Sequence, residues 1–224
     1  MIDKQYELAS LRQANYLLIN QDWRKAMAGR PREFDREQAL AKARDAFWSR
    51  GYEGVSMADL VDTMGIASAR IYAAFGSKEA LFREAVELYA SDEGGFAERA
   101  VAEEPTATRA IERSLREAIQ NCTRKDRPAG CMVVSAATNC TVANESVREF
   151  LADYRSRRTG LLVKRLHRAV DEGELRPETD VAALADHYAA ILIGLAVQAR
   201  DGVPRKRLLA TVPTAMTALQ AAAA

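Results

Sequence analysis

The feature that most constrains the fold of this chain is a regular series of helix start and stop signals between residues 35 and 90. A side chain that favours the N-cap position precedes each of four short amphipathic segments, and glycine follows the first two. The candidate N-caps are Asp35, Ser56, Ser68 and Ser77, and the two stops are Gly51 and Gly65. The pattern therefore predicts four consecutive short helices.

The rest of the 224-residue chain is also typical of helix. It holds only 12 Gly and 6 Pro, and no long stretch alternates apolar with polar residues. Asn144 and Asp180 are further candidate N-caps. Helices are predicted at 106–123, 131–139, 144–172, 180–200 and 205–221. The predicted fold class is all-α.

The second and third of the first four helices are predicted to form a helix-turn-helix, because the turn between them, residues 65–67, has the right length and begins with glycine. On the third helix, Ile71 and Phe75 share one face and are expected in the core. The opposite face carries Ala69, Arg70 and Ala73. Alanines allow close approach to a major groove, and arginine can pair with guanine, so this face is a candidate for reading DNA.

Overall charge does not identify a partner, since the formal net charge is +1. The interpretation as a DNA-binding protein depends on the positions of individual residues on the predicted helices. Tyr72 flanks the exposed face of the third helix, and Lys78 lies in the first turn of the fourth, where its charge opposes the helix dipole. Both are predicted to meet phosphates.

The run FWSRGYEGVSMADLVDTMGIASARIYAAFGSKEALFREAV resembles the DNA-binding domain of the TetR/AcrR transcriptional regulators. The shared features are a glycine and aromatic residue after the first helix, the helix-turn-helix, then YxxF and xSKExL. The resemblance spans roughly residues 30–88. It implies a homodimeric repressor that binds a palindromic operator in double-stranded DNA and is released by a small-molecule inducer.

The resemblance also implies site residues. Tyr72 and Lys78 correspond to phosphate contacts, Ser56 and Met57 lie close to the DNA backbone, and Arg30 and Arg32 resemble a basic arm. Arg70 stands where the family more often has a small or hydroxyl residue. The full predicted DNA-binding set is Arg30, Arg32, Ser56, Met57, Ser68, Ala69, Arg70, Tyr72, Ala73 and Lys78.

Three regions are predicted: an N-terminal extension (1–28), the helix-turn-helix domain (29–88) and a helical ligand-binding and dimerisation domain (89–224). Met27 is a candidate for the natural start. In the larger domain, two apolar stripes form either the intramolecular core or a dimer face. The resemblance favours the dimer face, in which two helices from each subunit build a four-helix bundle. The stripes are Leu184, Tyr188, Ile191 and Leu195, and Leu209, Val212, Met216 and Leu219.

The inducer pocket is predicted in the middle helices, where polarizable, aromatic and hydrogen-bonding side chains lie among apolar residues. Its candidate lining is Cys131, Met132, Asn139, Tyr154, His167, His187 and Tyr188. Few charged residues occur there, which favours a neutral or weakly polar ligand.

The sequence argues against an enzyme and leaves two other functions open. The sequence has neither the paired CxxC motif nor the HExxH motif expected of a thiol-dependent or metal-dependent enzyme. No catalytic residue, metal or cofactor is therefore predicted. A redox-sensing regulator using Cys131 and a helical protein-interaction adaptor remain alternatives. No signal peptide is visible, and the apolar stretch 188–199 is too short to span a bilayer, which predicts a cytoplasmic protein without membrane contact.

Overall fold

The structure is a computed structural model and describes residues 34–138 and 140–224. In these residues the only extended pairing is an isolated bridge between Leu175 and Ala223. A 3-10 turn, Val142–Asn144, precedes the longest helix. The helices are α1 (Arg36–Arg50), α2 (Met57–Met64), α3 (Ser68–Phe75), α4 (Lys78–Ser91), α5 (Phe96–Glu103), α6 (Ala107–Cys122), α7 (Met132–Ser135), α8 (Glu145–Asp171), α9 (Val181–Arg200), α10 (Arg205–Leu209) and α11 (Val212–Ala221). The predicted all-α fold is confirmed.

Helices α1 and α4 pack through aromatic side chains, and this contact builds the N-terminal core. The rings of Phe47 and Tyr52 each lie 5.1 Å from the ring of Phe82 in an edge-on arrangement. Trp48 meets Tyr89 in the same way at 4.7 Å. All five side chains are buried, so the helix-turn-helix rests on a rigid base.

Most of the predicted helix caps are present. Ser56, Ser77 and Asp180 each accept a hydrogen bond from a backbone N–H in the first turn of their helix. Gly65 ends α2 in the left-handed conformation, with φ of 73°.

One predicted cap is wrong, and another occupies its position without a capping hydrogen bond. Ala67 occupies the N-cap position of α3 with an extended backbone, so Ser68 is already inside the helix and its side chain caps nothing. Asn144 does occupy the N-cap position of α8, but its side chain makes no capping bond. Its amide instead donates to Glu53 Oε1 at 2.9 Å, because the 3-10 turn before α8 packs beside the α1–α2 loop.

The larger domain is centred on α6, which contacts α5, α8, α9 and α11. Helix α5 was not predicted, because Gly95 at its N-cap offers no side-chain cap. The helix expected at 131–139 shortens to α7. The helix expected at 205–221 is divided into α10 and α11, since Pro213 has no N–H to bond the preceding turn and instead starts a helix.

Six of the eight residues in the two apolar stripes belong to the intramolecular core, and the other two, Ile191 and Leu209, are half-buried. Leu184, Tyr188 and Leu195 on α9 are buried within the single chain. The same holds for Val212, Met216 and Leu219 of the second stripe. The dimer-face prediction for these side chains is therefore wrong, and the alternative interpretation is confirmed.

Among the described helices, α9 is long and apolar enough to cross a membrane by length and composition alone. It packs against α6 and α8 and carries eight buried residues. The helix is therefore buried on one side and exposed on the other.

Candidate DNA interface

Helix α3 has one buried and one exposed face. Ile71 and Phe75 are almost completely buried, as predicted. The other predicted α3 contacts, Ser68, Ala69, Arg70 and Ala73, are all exposed, and Tyr72 is 48% exposed. The helix therefore presents small side chains and one arginine on a surface that can approach a groove closely.

The C-terminal end of α3 is held by Arg36 at the start of α1. The Arg36 guanidinium lies 4.3 Å from the centre of the Phe75 ring and donates to the Ala74 carbonyl at 3.3 Å. It also pairs with Glu84 of α4 at 2.7 Å. One side chain thus ties α3 to α1 and α4, a role that sequence reasoning missed because its partners are far away in the chain.

The N-terminus of α2 is held by a capping box and an ion pair. Ser56 and Asp59 exchange hydrogen bonds in the capping box, and Arg50 of α1 pairs with Asp59 at 2.6 Å. Hydrogen bonds from Ser56 and Arg50 hold the pKa of Asp59 well below its usual range. Ser56 is exposed and Met57 half-buried, so this end of α2 is accessible to DNA.

Lys78 opens α4 and lies over an aromatic ring. Its Nζ is 4.2 Å from the centre of the Tyr52 ring. Partial burial lowers the pKa of Lys78, and the Glu53 and Asp59 carboxylates act in the opposite direction. The ammonium group is therefore held in place beside the helix-turn-helix, where a phosphate could pair with it. Arg30 and Arg32 lie outside the described residues.

The predicted ligand residues are not gathered around one cavity. Cys131 and Met132 are buried, and the Tyr89 hydroxyl donates to Cys131 Sγ at 3.3 Å. The Tyr154 hydroxyl donates to Glu87 and the Tyr188 hydroxyl to the Ala215 carbonyl. His167 and His187 are exposed, and Asn139 lies outside the described residues.

A shallow depression lies at the surface, near the N-terminus of α9 and the C-terminus of α11. Its volume is about 450 Å³, and Leu184, His187 and Ala218 are among its lining residues. Within the part of the chain that the structure describes, no three His, Cys, Asp or Glu side chains form a metal-binding group.

Two of the described thiols lie in surroundings that raise their pKa. Burial raises the pKa of Cys122 and, to a smaller extent, that of Cys140. Because the thiolate is the reactive form, these shifts suppress oxidation near neutral pH. The redox alternative depended on Cys131, which is buried beside the Tyr89 hydroxyl and shielded from soluble oxidants, so that alternative is not favoured.

A helix-turn-helix with an exposed, small-residue recognition helix, joined to a larger helical domain, defines a DNA-binding regulator. Two family models match the chain in the same order. The model described as "Bacterial regulatory proteins, tetR family" matches residues 39–85, and "Tetracyclin repressor-like, C-terminal domain" matches residues 107–212.

The chain is similar in sequence to known transcriptional regulators over most of their length. The HTH-type transcriptional repressor ComR of Escherichia coli is 33% identical over 86% of this chain and 92% of its own. The HTH-type transcriptional repressor BdcR of the same organism is 27% identical over 86% of this chain and 92% of its own. A cysteine-substituted TetR family regulator, CifR, solved with 26-bp double-strand operator DNA, is 44% identical with a TM-score of 0.82, covering 84% of this chain and 99% of CifR.

The chain belongs to the TetR family of transcriptional regulators. The predicted family, fold class and DNA-binding regulatory function are thereby confirmed. The individual DNA contacts and the ligand-lining residues stay predictions.

Proposed function

We propose that this protein is a cytoplasmic, homodimeric repressor that binds a palindromic operator and is released by a small-molecule inducer. The exposed face of α3, which combines Ala69, Arg70 and Ala73, carries the proposal. ComR and BdcR are named as repressors, and CifR is seen with operator DNA, which supports the same role here. These relatives are transcriptional regulators, and no enzymatic activity is assigned.

The dimer contact is assigned to the exposed side of α9, opposite the buried stripe. We define the α9 dimer face as Ala183, Ala190, Ile193, Gly194 and Val197, which share one side of the helix. Ile193 is 39% and Val197 46% exposed, unusual for large apolar side chains. A Cβ added at Gly194 would meet nothing within 4 Å, so another helix can approach closely there. A second copy would bury this face in a symmetric contact.

A two-fold dimer presents two copies of α3, which requires an operator with two related half-sites. The half-sites are expected about one helical turn, or a multiple of it, apart. Tyr72 and Lys78 would anchor each half by its phosphates, and Arg70 would read a base.

The inducer acts through linkage between the two domains. A ligand that releases the protein must prefer the arrangement that does not fit the operator, and operator DNA must weaken ligand binding by the same factor. Cys131 and Met132 remain candidate lining residues near the contact between α4 and the larger domain. A ligand there would have to open the packed interior.

The DNA-binding proposal is tested by fluorescence anisotropy on duplexes from the gene's own upstream region. The wild-type protein is expected to select one duplex over random DNA, and Ala73→Asp is expected to abolish that selection through charge repulsion. Ala102→Asp is the matched control, because Ala102 is exposed on α5, which packs on α6 and α8 of the larger domain. Equal binding of all duplexes by the wild-type protein would contradict the proposal.

The inducer proposal needs a separate experiment. Operator-bound protein is titrated with a panel of metabolites and drug-like compounds, and in parallel with thiol oxidants, for wild type and Cys131→Ser. Release by a neutral compound in both proteins is expected. Release by oxidant alone, lost in Cys131→Ser, would instead establish a redox switch.

A further inference from the structure

Arg200, the last residue of α9, reaches the C-terminal end of α1. Its guanidinium donates to the Trp48 carbonyl at 3.2 Å and the Ser49 carbonyl at 2.7 Å. A further bond goes to Ser135 Oγ at 3.1 Å. A single side chain therefore joins α9, α1 and α7, although Arg200 and Trp48 are 152 positions apart.

The contact matches the electrostatics of a helix end. The last carbonyls of α1 lack partners within the helix and carry its negative dipole end, so a cation there forms charge-assisted hydrogen bonds. Arg200 supplies the cation from another domain. The forked guanidinium reaches two successive carbonyls, which a lysine ammonium would not match in geometry.

Close packing beside Arg200 fixes the same contact. Gly130 has φ of +82°, and a Cβ there would come within 3.0 Å of the Ala196 carbonyl and 3.1 Å of Arg200 Cβ. The Gly130 carbonyl accepts a hydrogen bond from Trp48 Nε1 at 3.1 Å. We call Trp48, Ser49, Gly130, Ser135 and Arg200 the α1–α9 junction. The close approach of its backbone groups leaves little room for α1 to slide along α9.

The junction lies between the two surfaces that a repressor dimer uses. Arg200 follows Val197 of the α9 dimer face by three residues, one turn along the helix. On the other side, Arg36 ties α1 to the end of α3. A continuous chain of contacts thus runs from the dimer face through α9 and α1 to the recognition helix.

We propose that Arg200 is a positioning residue that fixes the separation of the two recognition helices and thereby determines the spacing of the operator half-sites. This inference rests on the proposed function, since it requires a dimer and a two-fold operator. Arg200 touches no DNA in this role. It orients α1 relative to α9, and α1 orients α3.

Arg205 provides a matched control. It also caps a helix end, donating to Thr123 Oγ1 at 2.7 Å and to the Gln120 and Thr123 carbonyls at the end of α6. Both arginines are exposed, so replacing either leaves no buried cavity. The difference is that Arg205 joins elements of the larger domain only, whereas Arg200 reaches α1.

The experiment measures spacing preference. Operators carrying the selected half-sites at the natural spacing, and at spacings one and two base pairs longer or shorter, are titrated with wild type, Arg200→Ala, Arg200→Lys and Arg205→Ala. The isolated half-site, thermal unfolding and dimer mass are measured for each protein. The ratio of affinities for natural and altered spacing is the readout, because loss of stability alone does not change it.

Wild type and Arg205→Ala are expected to share a strong preference for the natural spacing. In Arg200→Ala the ratio is expected to fall by about fivefold or more, the lower end of ordinary coupling between sites, with unchanged affinity for the isolated half-site. The ratio for Arg200→Lys is expected to lie between those of wild type and Arg200→Ala. This variant provides the readout if Arg200→Ala does not fold.

Two results would overturn the inference. One is an unchanged spacing ratio in Arg200→Ala, or in Arg200→Lys where only that variant folds. The other is a wild-type protein that binds a two-fold operator without any spacing preference, which leaves the proposed function intact. Failure of the wild-type protein to bind any two-fold operator would overturn the proposed function and this inference together.

Discussion

At the scale of single residues, the accessible side chains of the DNA interface divide into those that can contact bases and those that can bind the phosphate backbone. Arg70 is exposed on the same face of α3 as Ala69 and Ala73, which is a position for base contact. Lys78 is half-buried against the Tyr52 ring, a fixed charge suited to a phosphate. The two cations should therefore respond differently to substitution.

Arg70→Ala is expected to cost about 1–3 kcal/mol on the preferred operator and little on random DNA. Lys78→Ala should weaken binding to all sequences and reduce the slope of log affinity against log salt concentration by about one. Anisotropy titrations at several salt concentrations measure both effects, with the exposed Lys125→Ala as control. Equal losses on operator and random DNA for Arg70→Ala would make Arg70 a phosphate contact.

Glu53 gives a pH-dependent link between the two domains. Its Oε1 accepts hydrogen bonds from Asn144 Nδ2, Thr141 N and Thr141 Oγ1, all at 2.8–2.9 Å. These bonds, that of Asn144 foremost, lower the pKa of Glu53 below 4.5. A lowered pKa in the folded state stabilises the protein above the unfolded pKa and loses that effect as pH falls through the folded value.

Glu53→Gln is therefore expected to be less stable than wild type at neutral pH, with the difference shrinking on acidification below about pH 4.5. Thermal unfolding of both proteins across the acid range measures this. A stability difference that stays constant over the whole range would show that the Glu53 charge does not contribute.

At the scale of helices, the sequence signals were most informative where a cap acts within one turn. Ser56, Ser77 and Asp180 were predicted correctly because each accepts a bond from a residue three positions later. Ser68 was misplaced by one residue, and Asn144 found a partner in another loop. The ties made by Arg36 and Arg200 were beyond prediction, since their acceptors come close only in the folded chain.

The two serines give a direct comparison of a real and a misassigned cap. Ser56→Ala removes the capping box of α2 and is expected to destabilise the protein by about 0.5–2 kcal/mol. Ser68→Ala should leave stability nearly unchanged, because Ser68 makes no capping bond in α3. Chemical denaturation of both variants measures the difference. Equal destabilisation by both substitutions would contradict the assignment of Ala67 as the cap.

At the scale of the whole molecule, burial decides between surfaces that sequence patterns leave equivalent. Helix α9 is apolar on more than one side, so its periodicity could not show which side faces inward. The structure buries Leu184, Tyr188 and Leu195 and exposes Ile193 and Val197. The dimer prediction survives as a proposal, but on the opposite side of the helix.

Val197→Asp is expected to produce monomers and to weaken operator binding, because a charge on the α9 dimer face would be desolvated on association. Sedimentation or light scattering measures the mass, and anisotropy measures binding. Ala102→Asp should leave both unchanged, since that exposed alanine lies on α5, which packs on α6 and α8. A fully dimeric Val197→Asp protein would place the interface elsewhere.

The central claim, a dimer reading DNA through two copies of α3, is tested most directly by selection from a random-sequence duplex library with the wild-type protein. The expected result is one motif with two-fold symmetry, whose half-sites lie about one helical turn or a multiple of it apart. Recovery of only asymmetric motifs without a repeated half, or of no motif at all, would contradict the account.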